Sequence, residues 1–409
     1  MNKNLLWKSL LIVGILLVFL FGIFGIPKSF TGQGLLSSIT DRIHLGLDLR
    51  GGTHLILQVQ VQEAIGQETD QTVDRLTNQL RAKNIRYDEV RRVDDTHVVV
   101  RNLPSEQLSD FRDLVAARTG ADPAMVAPAH GIQALVFAVV AAFLNPGDRV
   151  VLPKPTYGLY RQACEAAGAE VLRVPSREYR LDLEAMLSAA QGAKLVFVCD
   201  PNNPTGDALA PEEWAAFLER LPHGCLVIVD EAYADYIAPE QRPSRVAEVA
   251  DGRPVVVLRT FSKLFGIAGL RLGFAIANPD LIPCLDAVQE PFNVNRLALA
   301  AGMACLRDPA MIEARRRQVV AARDGFAAKL AALAIPTWPS QANFVLANPG
   351  GDDGRWYEGL VRRGFLVRRG SEFGLEGHLR ITVGPEKLMT AVASAIAAVA
   401  AEQRGYDGP

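Results

Sequence analysis

The sequence predicts an α/β protein with a large, parallel-rich, doubly wound sheet domain and a small α+β domain after it. A membrane helix and a small α+β fragment are expected in front. Three observations carry that reading. Short runs rich in Val, Ile and Leu, namely Val171–Val174, Leu195–Val198, Leu226–Val229, Val255–Leu258 and Gly273–Ala277, alternate with helical stretches. That is the pattern of strands covered on both faces. Polar residues with chemistry stand just after several of these runs, where a doubly wound sheet opens its ligand crevice. Finally, no charge occurs from Ser9 to Pro27, and Leu10–Ile26 is almost wholly Leu, Ile, Val, Phe and Gly.

The chain has 409 residues, enough for two or three domains, and a net charge of −2 that gives no basic field for nucleic acid. Its five cysteines, Cys164, Cys199, Cys225, Cys284 and Cys305, are scattered without a C-x-x-C pair. They read as buried thiols of a reducing compartment, with neither a disulfide framework nor a metal site.

Taken in order, residues 1–30 hold a run of ~18–20 apolar residues, long enough to cross a bilayer. We expect a single membrane helix over residues 5–27, with Lys3 and Lys8 favouring a cytoplasmic N-terminus. Residues 31–115 read as an α+β fragment. Gly51 and Gly52 permit a tight bend before an alternating strand, with Leu55, Leu57 and Val59 set against Ile56, Gln58 and Gln60. An amphipathic helix is expected over 62–83, a strand over Thr96–Arg101, and a helix from about Glu106 capped by Ser105. Asp48 and Arg50 read as an ion pair at a turn.

Residues 116–309 read as the large domain and 310–409 as the small one. A helix over Ile132–Leu144 follows Gly131, whose position exposes backbone N–H groups suited to a phosphate. Arg149–Leu152 reads as a strand followed by Pro155-Thr156-Tyr157. The stretch Arg259-Thr260-Phe261-Ser262-Lys263, with Arg271 beyond it, leaves a buried strand carrying an amine, two hydroxyls and a guanidinium. A lone lysine there is an ordinary loop residue. With these neighbours Lys263 suits Schiff-base chemistry on a phosphate-bearing aldehyde, while Thr260, Ser262 and Arg271 suit its phosphate. Ala342–Leu346 reads as a strand and Ala391–Ala401 as packed helix.

Four motifs stand in order: Asp200-Pro201-Asn202-Asn203-Pro204-Thr205-Gly206, Val229-Asp230-Glu231-Ala232-Tyr233, the Lys263 stretch, and Arg380-Ile381-Thr382-Val383-Gly384. Together they resemble fold-type I pyridoxal-phosphate (PLP) aminotransferases, most closely the histidinol-phosphate group, over about 116–401. The resemblance implies the PLP-dependent transferase type I fold and PLP as cofactor. It also implies transfer of an amino group from a small-molecule donor to a 2-oxo acid, histidine biosynthesis, and a homodimer. Carried over residue by residue, Lys263 forms the Schiff base and moves the proton. Asp230 meets the ring nitrogen, Asn203 and Tyr233 the ring oxygen, and Tyr157 stacks on the ring. Gly131, with the backbone of Ile132 and Gln133, joins Thr260, Ser262 and Arg271 at the phosphate. Arg380 and Arg368 meet the substrate's anionic groups. A fold-type I decarboxylase is a minor alternative, since it shares Lys263, Asp230 and Arg271.

The apolar helix and His44-Leu45-Gly46-Leu47-Asp48-Leu49-Arg50-Gly51-Gly52 resemble the start of the export membrane protein SecD, over about 1–115. The two resemblances meet without a linker inside a helix, Ser109–Arg118, as in a chimera, and a truncated SecD-like export component is the alternative reading. The aminotransferases' N-terminal arm, with an N-P-Y-G-like stretch, is not found upstream of Ala116. Impaired activity is therefore expected, and the membrane helix would place the catalytic part away from the cytoplasm.

Overall fold

The computed structural model describes Gly14 and residues 53–82, 89–94, 98–101, 107–238 and 245–406. The membrane helix expected over residues 5–27 and the signature at 44–52 lie outside the described residues, Gly14 apart. Among the described residues no helix is long and apolar enough to cross a membrane. The chain divides into two compact units, Met1–Arg75 with Val90–Val99, and Leu76–Glu89 with Val100–Pro409.

In the first region the alternating segment 55–60 is not a strand but part of one helix, Thr53–Ala82. Leu and Gln are good helix formers. Extending the amphipathic stretch backwards adds a hydrogen bond for each residue fixed, with no new nucleus to form. Strands β1 (Glu89–Arg92) and β2 (Val98–Arg101) form a two-stranded sheet. Arg92 donates to the Asp70 carboxylate at 2.9 Å and to the Gly66 carbonyl at 3.0 Å.

The second unit is built on a seven-stranded sheet in the order β3-β9-β8-β7-β6-β4-β5. The strands are β3 (Val126–Ala129), β4 (Arg149–Lys154), β5 (Glu170–Pro175), β6 (Leu195–Cys199), β7 (Leu226–Asp230), β8 (Val255–Thr260) and β9 (Gly273–Ile276). Pairs β5–β4, β4–β6, β6–β7 and β7–β8 are parallel. β9 runs against both neighbours, so the sheet is mixed rather than wholly parallel. The reason is the link from Thr260 to Gly273, which holds only a short 3₁₀ turn and no crossover helix to carry the chain back. β3 went unread in the sequence because Val-Ala-Pro-Ala has little strand character. Its proline is tolerated at the sheet's edge.

Alternate side chains of the central strands enter two cores. Val196, Val198, Val227, Val229, Val255 and Val257 face one; Leu195, Phe197, Ile228, Val256 and Leu258 face the other. The helix Gln107–Thr119 contributes Phe111 and Val115, one turn apart, to the first core. The Phe111 ring lies 5.7 Å from Phe261 and 6.4 Å from Phe274. The point where the two resemblances meet thus lies in a continuous helix whose upstream turn packs beside the Lys263 loop.

A second sheet, β10 (Phe344–Ala347), β12 (Leu379–Thr382) and β11 (Arg368–Arg369), is antiparallel throughout. With the helices Pro309–Ala332, Asp353–Val361 and Glu386–Tyr406 it encloses a separate core around Phe326, Leu360 and Ile396.

Candidate active site

A cavity of about 1010 Å³ opens at the carboxyl ends of β4, β6, β7 and β8. Of the residues singled out in the sequence, Ile132, Gln133, Tyr157, Asn203, Asp230, Tyr233, Thr260, Ser262, Lys263, Arg271, Arg368 and Arg380 all line it. Gly131 is not in the lining, but lies against Arg271: a Cβ there would come within 2.8 Å of Arg271 Nη2.

One corner is built for an anion. Gly131 opens a 13-residue helix at φ +81, a conformation that costs glycine little. The first-turn N–H groups of Ile132 and Gln133 have no partner within their helix. Opposite them, Thr260 Oγ1 accepts from the Ser262 N–H at 3.0 Å, which turns the chain sharply out of β8. Arg271 Nη1 donates to Ser262 Oγ at 3.4 Å and to the Ala268 carbonyl at 3.1 Å. Arg271 itself has φ +56, a strained setting for an arginine, held by the short return into β9.

A carboxylate occupies the floor. Asp230 ends β7 and is only 3% exposed. Its Oδ2 accepts from Tyr160 Oη, and its Oδ1 from the Ala232 N–H at 2.9 Å. Burial pushes its pKa up, while these two donors and the Lys263 charge oppose the rise. Lys263 Nζ stands 5.1 Å over the Tyr233 ring. Burial lowers its pKa and the Arg380 guanidinium adds to this; Asp230 opposes. Burial pushes the Tyr233 phenol up to about 12, so it stays a donor.

The remaining wall comes from the small sheet. Arg380 Nη1 donates to Asn203 Oδ1 at 2.9 Å, leaving the Asn203 amide nitrogen as the free end of that side chain. The Arg380 Nε is buried with no hydrogen-bond partner. Arg368 lies directly opposite Arg380 in the β11–β12 register and pairs with Glu372 at 2.6 Å. Two like charges directly opposite each other across strands repel, and the Glu372 carboxylate offsets part of that repulsion.

Sequence reasoning missed Tyr160, whose hydroxyl meets a residue seventy positions on. Its one local signal is a second aromatic three residues after Tyr157, in the first turn of the helix Leu159–Ala166. Glu372 and Phe373, which also line the cavity, sit in a 3₁₀ turn without a readable pattern.

The donor set fits PLP. The cavity brings together an anion corner whose wall leaves no space for a side chain at 131, a buried carboxylate for a pyridinium, and an amine with depressed basicity. A sequence model described as aminotransferase class I and II matches residues 67–396, starting upstream of the expected Ala116. Residues 37–63 match a SecD/SecF GG motif. The histidinol-phosphate aminotransferase of Moorella thermoacetica is 36% identical over 279 residues, 68% of this chain and 72% of that protein. That of Symbiobacterium thermophilum is 45% identical over 257 residues, 62% and 70% of the two chains. The structure of histidinol-phosphate aminotransferase from Sinorhizobium meliloti in complex with pyridoxal-5'-phosphate superposes with a TM-score of 0.68. It has 27% identity and covers 73% of this chain and 82% of that one.

Proposed function

The chain belongs to the class I and II aminotransferases and is a PLP-dependent aminotransferase, and from that premise we propose an anionic, phosphorylated amino substrate such as histidinol phosphate. The observation that carries the substrate proposal is the facing pair Arg368 and Arg380, with Arg380 Nε unpartnered. Bound in the cavity, PLP supplies an electron sink for the pair left on the substrate's Cα when its proton leaves.

The side chains divide the work as follows. Arg271, Ser262 and Thr260, with the N–H groups of Ile132 and Gln133 beyond Gly131, hold the cofactor's phosphate. Asp230 keeps the ring nitrogen protonated through a charge-assisted hydrogen bond. Asn203 and Tyr233 would supply donors to the cofactor's ring oxygen, and Tyr157 would offer an aromatic surface to its ring. Lys263, its basicity lowered by burial, would serve as the base that takes the substrate's Cα proton and as the acid that gives it back. Arg380 and Arg368 orient the substrate by its anionic end.

The test is direct. Purified protein should show a visible cofactor band, and borohydride should fix the cofactor onto a peptide containing Lys263. It should also consume histidinol phosphate with a 2-oxo acid. A Lys263→Ala protein that keeps the band and the covalent label would overturn the assignment. The homodimer expected from the resemblance belongs to this proposal and is read by sedimentation.

A second reading concerns the N-terminal stretch alone. The GG-motif match covers residues 37–63 only, and the uncharged apolar run of Leu10–Ile26 is what motivates an export-type anchor over residues 5–27. Release of the full chain from membranes by alkaline carbonate would remove that reading and leave the aminotransferase untouched.

A further inference from the structure

Asp230 is approached from behind by a group that none of the assigned roles uses. Tyr160 is fully buried at 0% exposure and sits in the helix Leu159–Ala166, while Asp230 ends β7. The Tyr160 ring stacks on Phe197 at 5.0 Å and 18°, and meets Tyr157 edge-on at 5.5 Å and 86°. Its hydroxyl donates to Asp230 Oδ2, a bond that does not run through Phe197.

We propose that Tyr160 is a positioning residue for the cofactor ring: its hydroxyl keeps the Asp230 carboxylate ionised and pointed at the pyridine nitrogen, while its ring sets the tilt of Tyr157. This rests on the PLP reading above. The physical case is a competition. Burial favours neutral Asp230, and a neutral carboxyl does not hold a pyridinium. The titratable groups around it are Tyr160 from its helix, Tyr157 before that helix, Cys199 from β6, Glu231 and Tyr233 after β7, and Lys263 after β8. Of these, Lys263 favours the anion by charge and Tyr160 by a hydrogen bond. The Lys263 charge changes during proton transfer; the Tyr160 donor does not. Burial and Asp230 hold the phenol well above its ordinary value, so it stays protonated throughout the working range.

Tyr160→Phe keeps the ring and its stack and removes only the donor. We expect PLP to bind roughly ten- to a hundredfold more weakly, as for a lost hydrogen bond to a charged group. The loss of affinity on acidification should begin about one pH unit higher, because Asp230 then protonates more readily. The fall in kcat should exceed any change in KM for the amino donor. Phe197→Leu removes the stack but keeps the hydroxyl, and should leave the pH dependence of PLP binding unchanged. Wild-type affinity and pH dependence in Tyr160→Phe would overturn the inference alone, as would an equal pH shift in Phe197→Leu. A wild-type chain that binds no PLP at all would overturn the cofactor reading and this inference together.

Discussion

The floor and the rim of the cavity are made differently. Asp230 and Tyr160 come from the end of a buried strand and the helix against it and are joined by a buried hydrogen bond, while Lys263 follows β8 with its Nζ over the buried Tyr233 ring. Behind them lies a buried ion network: Glu231 pairs with Arg259 at 2.6 Å and with Arg245 at 3.3 Å, and Arg245 also meets Asp200 and covers the Trp214 ring at 4.0 Å. The rim is looser. Arg368 is 54% exposed, and its partner Glu372 stands four residues away on one short turn. A rigid floor suits chemistry that needs fixed proton distances. An exposed, self-paired rim suits a group that must let a charged substrate arrive and leave.

This contrast predicts that floor changes damage turnover or stability, and rim changes damage only substrate capture. The largest effect is expected for Lys263→Ala, with kcat lower by about 10⁴-fold while the fold is unaltered, measured by stopped-flow turnover alongside thermal unfolding. Retained turnover would break the contrast at once. Glu231→Gln should cost about 3 kcal/mol, because two buried guanidiniums lose a charged partner; urea unfolding reads it. Arg368→Ala should raise KM for a phosphorylated substrate by about tenfold, with kcat and unfolding midpoint nearly unchanged, since exposed pairs contribute little to stability. A drop in kcat as large as the rise in KM would place Arg368 with the floor.

The smallest effect concerns Asp207, just beyond the Asn203 loop, whose carboxyl burial pushes from 3.8 to about 6. The folded state therefore binds a proton more tightly than the unfolded chain. Stability from this group is fully present below its unfolded value and is lost as pH rises from about 4 through about 6. Arg180, at 3.6 Å from its Oδ1, offsets part of the loss. Asp207→Asn should stabilise the protein by about 1 kcal/mol at neutral pH and flatten that slope in pH-dependent melting. An unchanged slope would assign it to other carboxyls.

How much was legible follows from the same physics. Strands buried on both faces print themselves as β-branched runs, and a polar residue placed after such a run is readable without a structure. Hence Asp230, Lys263 and Asn203 were visible. The Val126–Ala129 strand was not, because alanine and proline fit an edge without announcing one. The reversed direction of Gly273–Ile276 depends on a short return that periodicity does not encode. Residues 55–60 alternate like a strand, yet propagate a helix started further along. Tyr160 was hidden because its partner is set by tertiary packing, not spacing.

That short return between β8 and β9 has a mechanical corollary. Lys263 and Arg271 leave and re-enter the sheet on one tether, pinned where Thr260 pairs with Gly273. The amine and the guanidinium form one cassette whose internal length is a ruler. Inserting or deleting a single residue there would slide one end against the other. The segment is thus the place where grafts between relatives should be exchanged whole and never spliced in the middle.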